Sequence, residues 1–173
     1  ILPNARIKKL RLTLGFQNSV MKNGQRFPLK VKDDDRQVVV NIEKSNFDIS
    51  NGQLSFTIDF DAGNSIQVDN SGSGNNNGYR LKSHIKIFSK NNSGRIEGRV
   101  LPRASDPIVK AVIGSDTATA IPESDGEFKI VGLNAGIYKV IIDGQNGYLD
   151  TTINNVIVRN REDTRLPTIT LHQ

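Results

Sequence analysis

The sequence has 173 residues, 36% of them hydrophobic, with seven Phe, three Tyr and no Trp. This length suits one large domain or two compact domains of roughly 80–90 residues each. Cys is absent, which excludes disulfide bonds, thiol catalysis and cysteine metal sites. Fifteen Gly, together with many Asn and Ser, favour many short strands over a few long helices.

The formal net charge of +5 comes from the first half of the chain. Residues 1–93 hold 14 Lys and Arg against 8 Asp and Glu, whereas residues 94–173 hold 9 against 10. Basic residues such as Lys8, Lys9 and Arg11 are scattered, whereas nucleic-acid surfaces cluster them and interleave them with aromatic residues. We interpret them as solvated outer faces of strands and expect no nucleic-acid partner.

No stretch of the sequence approaches the ~20 apolar residues that cross a bilayer. The chain begins at Ile1 without a charged and then apolar leader. We therefore expect any signal peptide or membrane anchor to lie outside this chain, so that membrane contact occurs only through such an anchor.

Apolar and polar residues alternate along most of the first half, which predicts half-buried strands. The segment IKKLRLTLG places Leu10, Leu12 and Leu14 on one face. Further strands are predicted at RQVVVNIEKSNFDI, at QLSFTIDF and at YRLKSHIKIFSK.

Turn signals separate these strands. Asn23-Gly24 and Asn51-Gly52 are hairpin turns, because both positions tolerate a positive φ. Residues 69–80, DNSGSGNNNGYR, predict a mobile loop, and they lack the Lys and the following helix of a phosphate cradle. The polar joint NNSG at 91–94 predicts a domain boundary, with domains at 1–92 and 93–173.

The second half contains about seven short alternating segments with turns every 8–12 residues, a pattern typical of an antiparallel sandwich. Its clearest part is SDGEFKIVGLNAGIYKVIIDG, in which Asp-Gly and Asn-Ala-Gly are turns. The residues predicted to face inward from its two strands are Phe128, Ile130, Tyr138, Val140 and Ile142.

Three segments of this half resemble the carboxypeptidase-regulatory-like domain. They are GRIEGRV at 94–100, DGEFKIVGLNAGIYKV at 125–140 and NNVIV at 154–158. The resemblance implies a seven-stranded Greek-key sandwich of the prealbumin (transthyretin) type, close to starch-binding folds. It implies no activity, because this domain is an accessory of peptidases and carries none of their zinc ligands.

The first half resembles the later part of a domain of unknown function found in bacterial surface lipoproteins. The matching segments are IKKLRLTLG at 7–15, FPLKV at 27–31, LSFTIDFDAGNSI at 54–66 and GYRLKSHIKI at 78–87. The resemblance implies an extracytoplasmic location, at the cell surface or as an outer-membrane lipoprotein, and a role as an adhesin or fimbria-associated protein.

Family members carry further strands upstream, so we expect domain 1–92 to lack its N-terminal part. If that part is absent from the mature protein as well, and not only from this chain, the first domain would show an unpaired sheet edge bordered by Leu10, Leu12 and Leu14. Such an edge is a template for strand exchange with another protein.

Catalytic residues are not predicted. The two histidines, His84 and His172, lie in different halves, and a Ser-His-Asp arrangement needs its members within hydrogen-bond reach. Ser83 is adjacent to His84, but neighbouring residues of a strand point to opposite faces.

Metal and cofactor sites are not predicted either. The segment from Asp59 to Ser65 starts like a calcium loop, but Gly63 and Asn70 stand at its fifth and twelfth positions. The run DDD at 33–35 is interpreted as a solvated turn.

Carbohydrate binding is the functional alternative. Tyr79 beside the Asn-rich loop, or Tyr148 beside Gln145 and Asn146, would stack on a sugar ring while the amides bond its hydroxyls. Both tyrosines fit strand-end packing equally well.

These observations predict an all-β protein of two tandem antiparallel sandwiches. The favoured function is a non-enzymatic structural or adhesion protein of the bacterial surface, with the second domain as a spacer or docking unit. The partners would be other surface proteins or host and glycan ligands, and the alternative is a carbohydrate-binding surface protein.

Overall fold

A computed structural model describes residues 8–22, 24–41, 49–50, 53–54, 56–69 and 78–173. Within them the chain forms eighteen strands and a single four-residue α-helix, α1 at Ala62–Ser65, which confirms the predicted all-β class. The strands, in chain order, are β1 Lys9–Thr13, β2 Ser19–Lys22, β3 Gln25–Val31, β4 Gln37–Asn41, β5 Ile49–Ser50, β6 Gln53–Leu54, β7 Thr57–Phe60, β8 Ile66–Asp69, β9 Gly78–Leu81, β10 Ile85–Phe88, β11 Gly94–Leu101, β12 Ile108–Ile113, β13 Asp116–Ala120, β14 Glu127–Leu133, β15 Gly136–Asp143, β16 Thr151–Val158, β17 Asp163–Arg165 and β18 Ile169–Thr170.

These strands form two sets that do not pair with each other. The N-terminal unit (β1 to β10) contains the pairs β1–β4, β5–β6 and β7–β10 and the sheet β2-β3-β9-β8. The C-terminal unit (β11 to β18) contains the sheet β14-β11-β17, with β18 also paired to β11, and the sheet β13-β12-β15-β16. This is the predicted tandem arrangement. No helix in the described residues is long and apolar enough to span a membrane.

The first predicted hairpin is present. Strands β2 and β3 pair antiparallel with Lys22 opposite Gln25, which leaves a two-residue turn, and Gly24 has a φ of +74°. Asn23, the turn at Asn51-Gly52 and residues 70–77 of the predicted loop lie outside the described residues.

Two predicted strands of the first half are each divided in the structure. YRLKSHIKIFSK, expected as one strand, forms β9 and β10 in different sheets. Ser65 accepts hydrogen bonds from the residues that connect these two strands. The Ser65 carbonyl accepts from the Lys82 N–H at 2.8 Å, and its hydroxyl accepts from the His84 N–H at 2.8 Å. In the same way QLSFTIDF forms β6 and β7, with Phe56 in neither strand.

The two sheets of the C-terminal unit enclose one hydrophobic core. All five residues that the alternation predicted to face inward between Asp125 and Asp143 are buried in it. The core consists of Ile96, Val100, Val109, Ala111, Ala118, Phe128, Ile130, Leu133, Tyr138, Val140, Ile142, Val156, Val158, Ile169 and Leu171.

Strands β14 and β15 are consecutive but belong to opposite sheets of the sandwich. Strand β14 pairs with β11, whereas β15 lies between β12 and β16. The Asn-Ala-Gly turn therefore crosses from one sheet to the other, and the two inward faces meet across the core instead of side by side.

The last predicted strand, TRLPTITL, is interrupted. Strands β17 and β18 both run parallel to β11, and Pro167 separates them because proline has no N–H for the ladder. The two pieces occupy one strand position, so the unit has the seven positions that were predicted. The expectation of purely antiparallel sandwiches is corrected in both units, because this position is parallel and β3 pairs parallel with β9 in the N-terminal unit.

Candidate functional site at the junction of the two units

The side-chain carboxylate of Asp61 accepts four hydrogen bonds. It lies between β7 and α1 and is 4% exposed. As the N-cap of α1 it accepts hydrogen bonds from the Asn64 backbone N–H at 3.1 Å and from the Asn64 side-chain amide at 2.9 Å.

The same carboxylate binds the C-terminal unit. The backbone N–H of Thr119, in β13, donates to Asp61 Oδ2 at 2.9 Å, and the Thr119 hydroxyl donates to Asp61 Oδ1. Gly63 makes this approach possible, because a Cβ there would lie 2.6 Å from Thr119 Oγ1. A buried charge with four donors is satisfied, and it fixes α1 against β13.

Strand β10 makes the second contact between the units. The Lys86 ammonium donates to the Thr117 carbonyl at 3.4 Å. The Phe88 ring lies so close to the backbone at Gly132 that a Cβ at this position would be 2.4 Å from Phe88 Cδ1. The junction therefore combines a polar bond network with an aromatic contact.

The environment of the junction changes the pKa of Asp59. Burial raises the pKa of the Asp59 carboxyl, and the negative charge of Asp61 raises it further, whereas Lys86 lowers it. The ionised form of Asp59 is thus disfavoured beside the bonded Asp61 carboxylate.

Hydrogen bonds to the C-terminal unit hold the segment that connects the two units. The Ser93 hydroxyl donates to the Ser89 carbonyl at 2.9 Å, and both serines are buried. Arg161 then anchors the segment: its N–H donates to the Ser93 carbonyl at 2.9 Å and its Nε to the Asn91 carbonyl at 2.8 Å. The predicted polar joint is therefore a packed element, and the domain boundary within it stays a prediction.

The two acidic segments weighed as metal sites are both part of short helices or their caps. Asp61 caps α1 and bonds Thr119, while the DDD run forms a 3-10 helix at Asp33–Arg36. Among the described residues no three His, Cys, Asp or Glu side chains come together as a metal-binding group.

The two histidines belong to different units. His84 is exposed in the connection between β9 and β10, not within a strand as predicted, and its carbonyl accepts from the Asp61 N–H at 3.0 Å. The neighbouring Ser83 hydroxyl donates to the Asp35 carbonyl at 3.5 Å. His172 is exposed near the C-terminus of the C-terminal unit.

The predicted sugar-binding residues fall in separate places. Tyr79 is half-buried in β9, and its ring packs edge-on against Phe27 with the centroids 5.2 Å apart. Tyr148 follows β15, and it packs partly buried against the C-terminal core.

The polar neighbours of Tyr148 bond to the protein itself. The Asn146 amide donates to the Ala104 carbonyl at 2.9 Å, and the Gln145 amide donates to Asp143 at 2.7 Å. The structure brings Tyr148 and Asn146 into one loop and leaves Tyr79 in the other unit. Sugar binding by these residues stays a prediction.

The predicted exposed edge involves β1. Leu10, Leu12 and Leu14 are half-buried, and β1 pairs with β4 and with no other strand in the described ranges. Leu14 is tied down after the strand, since its N–H donates to the Arg36 carbonyl at 2.8 Å.

The bond between Asp61 and Thr119 was not predicted. The sequence does carry a local signal for half of it, since Asp61 and Asn64 have the spacing of an N-cap and the residue whose N–H it accepts. Nothing in the spacing identifies Thr119, 58 residues further along the chain.

Residues 1–83 match the family described as a domain of unknown function (DUF4382). This agrees with the resemblance of the first half to a domain of unknown function. No curated protein matches the chain.

Similarities to solved structures are distant. A mutant type II cohesin–X-dockerin complex from Acetivibrio cellulolyticus aligns at 27% identity over 45% of this chain and 56% of that chain, with a TM-score of 0.37. The Bacillus anthracis TIE protein aligns at 12% identity over 98% of this chain and 32% of that chain, with a TM-score of 0.37. GBS52, the minor pilin of Streptococcus agalactiae, aligns at 12% identity over 85% and 67%, with a TM-score of 0.32. TM-scores this low carry no functional argument.

Proposed function

We propose that this chain is a non-enzymatic structural or adhesion module of the bacterial cell surface. Its two sandwich units would hold a fixed relative orientation and so present a surface at a set distance and angle. The observation that carries the proposal is the buried Asp61 carboxylate, which is bonded from both units at once.

Fixed orientation is supported by three separate contacts. The Asp61–Thr119 bonds, the Phe88–Gly132 packing and the Arg161 anchor to the joint lie on different elements. Domains joined by a free linker move relative to each other by default, so a satisfied buried network at the joint favours a stiff module.

For the second domain we propose the carboxypeptidase-regulatory-like type, serving as spacer or docking unit. The seven strand positions, the two-sheet core and the turn role of Asp125 support this. The Asp125 carboxylate accepts from the Glu127 N–H at 2.9 Å, so the motif residues serve the fold.

We further propose an extracytoplasmic location, with other surface proteins as partners. The match of residues 1–83 to a domain of unknown function is consistent with the resemblance of the first half and assigns no activity. Strand exchange at the β1 edge is one mode by which such a partner would bind.

Small-angle X-ray scattering tests the stiff junction. The wild-type chain should fit one rigid arrangement, and the pair Asp61→Ala with Thr119→Val should give a broader distribution of maximum dimensions with both units folded. Wild-type scattering that already requires several arrangements would contradict the proposal. Hydrolytic turnover of peptide, ester or glycoside substrates that persists through purification would contradict the non-enzymatic assignment.

The second candidate function is carbohydrate binding. One observation favours it, namely a cleft beside the junction lined by amide and hydroxyl side chains. A glycan array is the direct test, and an array without binding would remove this candidate while leaving the scattering result untouched.

A further inference from the structure

We propose that the cleft beside the junction, and not either tyrosine, binds a neutral saccharide. This inference rests on the second candidate function, carbohydrate binding. The cleft has a volume of about 540 Å³, within the range of sites for small ligands. Its described lining residues come from both units, namely Val40, Ile85, Lys86, Ile87, Phe88, Ser89, Asn92, Ser93, Gly132, Asn134, Ala135 and Asn160.

Part of the described cleft lining is apolar. Val40, Ile85 and Phe88 supply it, and the position of the Phe88 ring is set by its contact with Gly132. Gly132 has a φ of +69° and no Cβ, so the ring approaches the backbone as no other residue would allow. The C–H faces of a sugar ring pack on such a surface.

The polar part of the cleft lining includes amide side chains. Asn134 and Asn160 are exposed at the cleft, and neither side-chain amide bonds another group of the described chain. An asparagine amide both donates and accepts, so it matches a sugar hydroxyl in either direction. Asn92 lies in the same lining, next to the buried Ser93.

The low charge of the described cleft lining favours a neutral ligand over an anionic one. Lys86 is the single charged residue in the described lining, and its ammonium is engaged by the Thr117 carbonyl at 3.4 Å. An anionic sugar or a phosphate would need more cations than this. Apart from Lys86, the polar side chains of the described lining are amides and hydroxyls, which match a ring carrying many hydroxyls.

The test uses the full chain and a panel of neutral oligosaccharides, with acidic oligosaccharides and neutral tetrapeptides alongside. Binding is followed by two-dimensional NMR of the backbone and Asn side-chain amides. We expect a neutral saccharide to shift the Asn134 and Asn160 side-chain resonances. The double variant Asn134→Ala and Asn160→Ala should weaken the affinity about tenfold or more, since two hydrogen bonds are lost.

Asn154→Ala is the matched control, because Asn154 is exposed on β16 and outside the cleft lining. Phe88→Leu keeps bulk against Gly132 and removes the ring, so it should weaken binding while the melting temperature reports that the fold is kept.

Four outcomes are decisive. Weakened binding in the cleft variants with an unaffected control supports the site. A panel without any neutral saccharide bound at millimolar concentration overturns it. Binding that survives the cleft variants but is lost on Tyr79→Ala or Tyr148→Ala overturns the placement. Shifts caused by a tetrapeptide and not by sugars overturn the ligand class. None of these results depends on the stiffness measured by scattering.

Discussion

At the scale of single residues, the Asp61 carboxylate raises the question of how a charge is stable with 4% exposure. Removing an ion from water costs several kcal/mol unless hydrogen bonds replace the lost solvation. Two donors from Asn64 and two from Thr119 supply this replacement. Because half of the donors belong to the other unit, the charge is fully satisfied only when the units are docked.

Replacing Asp61 by Ala should therefore destabilise the junction strongly. The change leaves the backbone N–H groups of Asn64 and Thr119 without their carboxylate, and it should lower the free energy of unfolding by about 2–4 kcal/mol. Denaturant unfolding followed by circular dichroism measures the loss.

Thr119→Val provides the graded control for this change. It removes the hydroxyl bond and keeps the backbone N–H bond to Asp61, so the expected loss is about 1 kcal/mol. Equal losses in the two variants would show that the carboxylate is not shared as the geometry indicates.

Asp59 should make stability depend on pH in the direction opposite to an ion-paired acid. Since its native pKa is raised, the folded protein binds the proton more tightly than the unfolded chain does. Stability then falls as the pH rises from the ordinary aspartate pKa through the raised native one, and the cost remains at neutral pH.

Asp59→Asn should therefore raise the melting temperature at pH 7, and the gain over wild type should shrink as the pH is lowered through that window. Thermal melts at several pH values measure this. Asp34→Asn, at an exposed position of the 3-10 helix, is the matched control. A lower melting temperature for Asp59→Asn at pH 7 would refute the assignment.

At the scale of elements, two glycines are required for different reasons. Gly94 is required by close packing, and Gly114 by its backbone conformation. A Cβ at Gly94, where β11 begins, would lie 2.3 Å from the Arg159 carbonyl oxygen and 2.6 Å from Val158 Cγ1. Gly114, after β12, has a φ of +57° and open space around it.

Gly94→Ala should accordingly cost about 3 kcal/mol, because a backbone oxygen would have to move. Gly114→Ala should cost about 1 kcal/mol, because only the left-handed conformation is penalised. The free energies of unfolding of the two variants, measured side by side, check the order. Reversal of that order would mean that the start of β11 is looser than described.

Period-two patterning predicted most elements of the C-terminal unit. Phe128, Ile130, Tyr138 and Val140 are buried as the alternation requires, since each strand has one face on the core. The partner of each strand was not predictable, because alternation reports which face is buried and not which sheet the strand joins. The division at Pro167 had a visible cause in the sequence, but the parallel pairing on both sides of it did not.

The contact between the two units could not be predicted from the sequence for a related reason. The Asp61 cap is a local feature with a recognisable spacing, whereas its bond to Thr119 depends on the relative placement of the two units. Tyr79 and Tyr148 were chosen as aromatic residues with polar neighbours. Both rings have packing partners in the structure, and sugar binding by them stays a prediction.

At the scale of the whole molecule, burial is unequal between the units. The C-terminal unit encloses a continuous core of fifteen buried residues. In the described part of the N-terminal unit, the buried hydrophobic residues are Leu81 and Ile87, while Ile58 and Phe60 remain 47% and 44% exposed. Since apolar burial is the main source of stability, the C-terminal unit should be the more stable body.

Hydrogen exchange on the intact chain should reveal this order. Amides of β11 and β15 lie in the C-terminal core and should open only through its global unfolding, whereas those of β1 and β7 should open locally and exchange about tenfold faster or more. Mass spectrometry of peptic fragments measures both sets in one experiment. Asp61→Ala adds a second readout: exchange should rise at Thr119 and in α1 while β15 is unchanged, because the lost bonds join the units and do not hold the C-terminal core. Equal protection of β1 and β15, or faster exchange throughout the C-terminal unit in the variant, would mean that the two units unfold as one body.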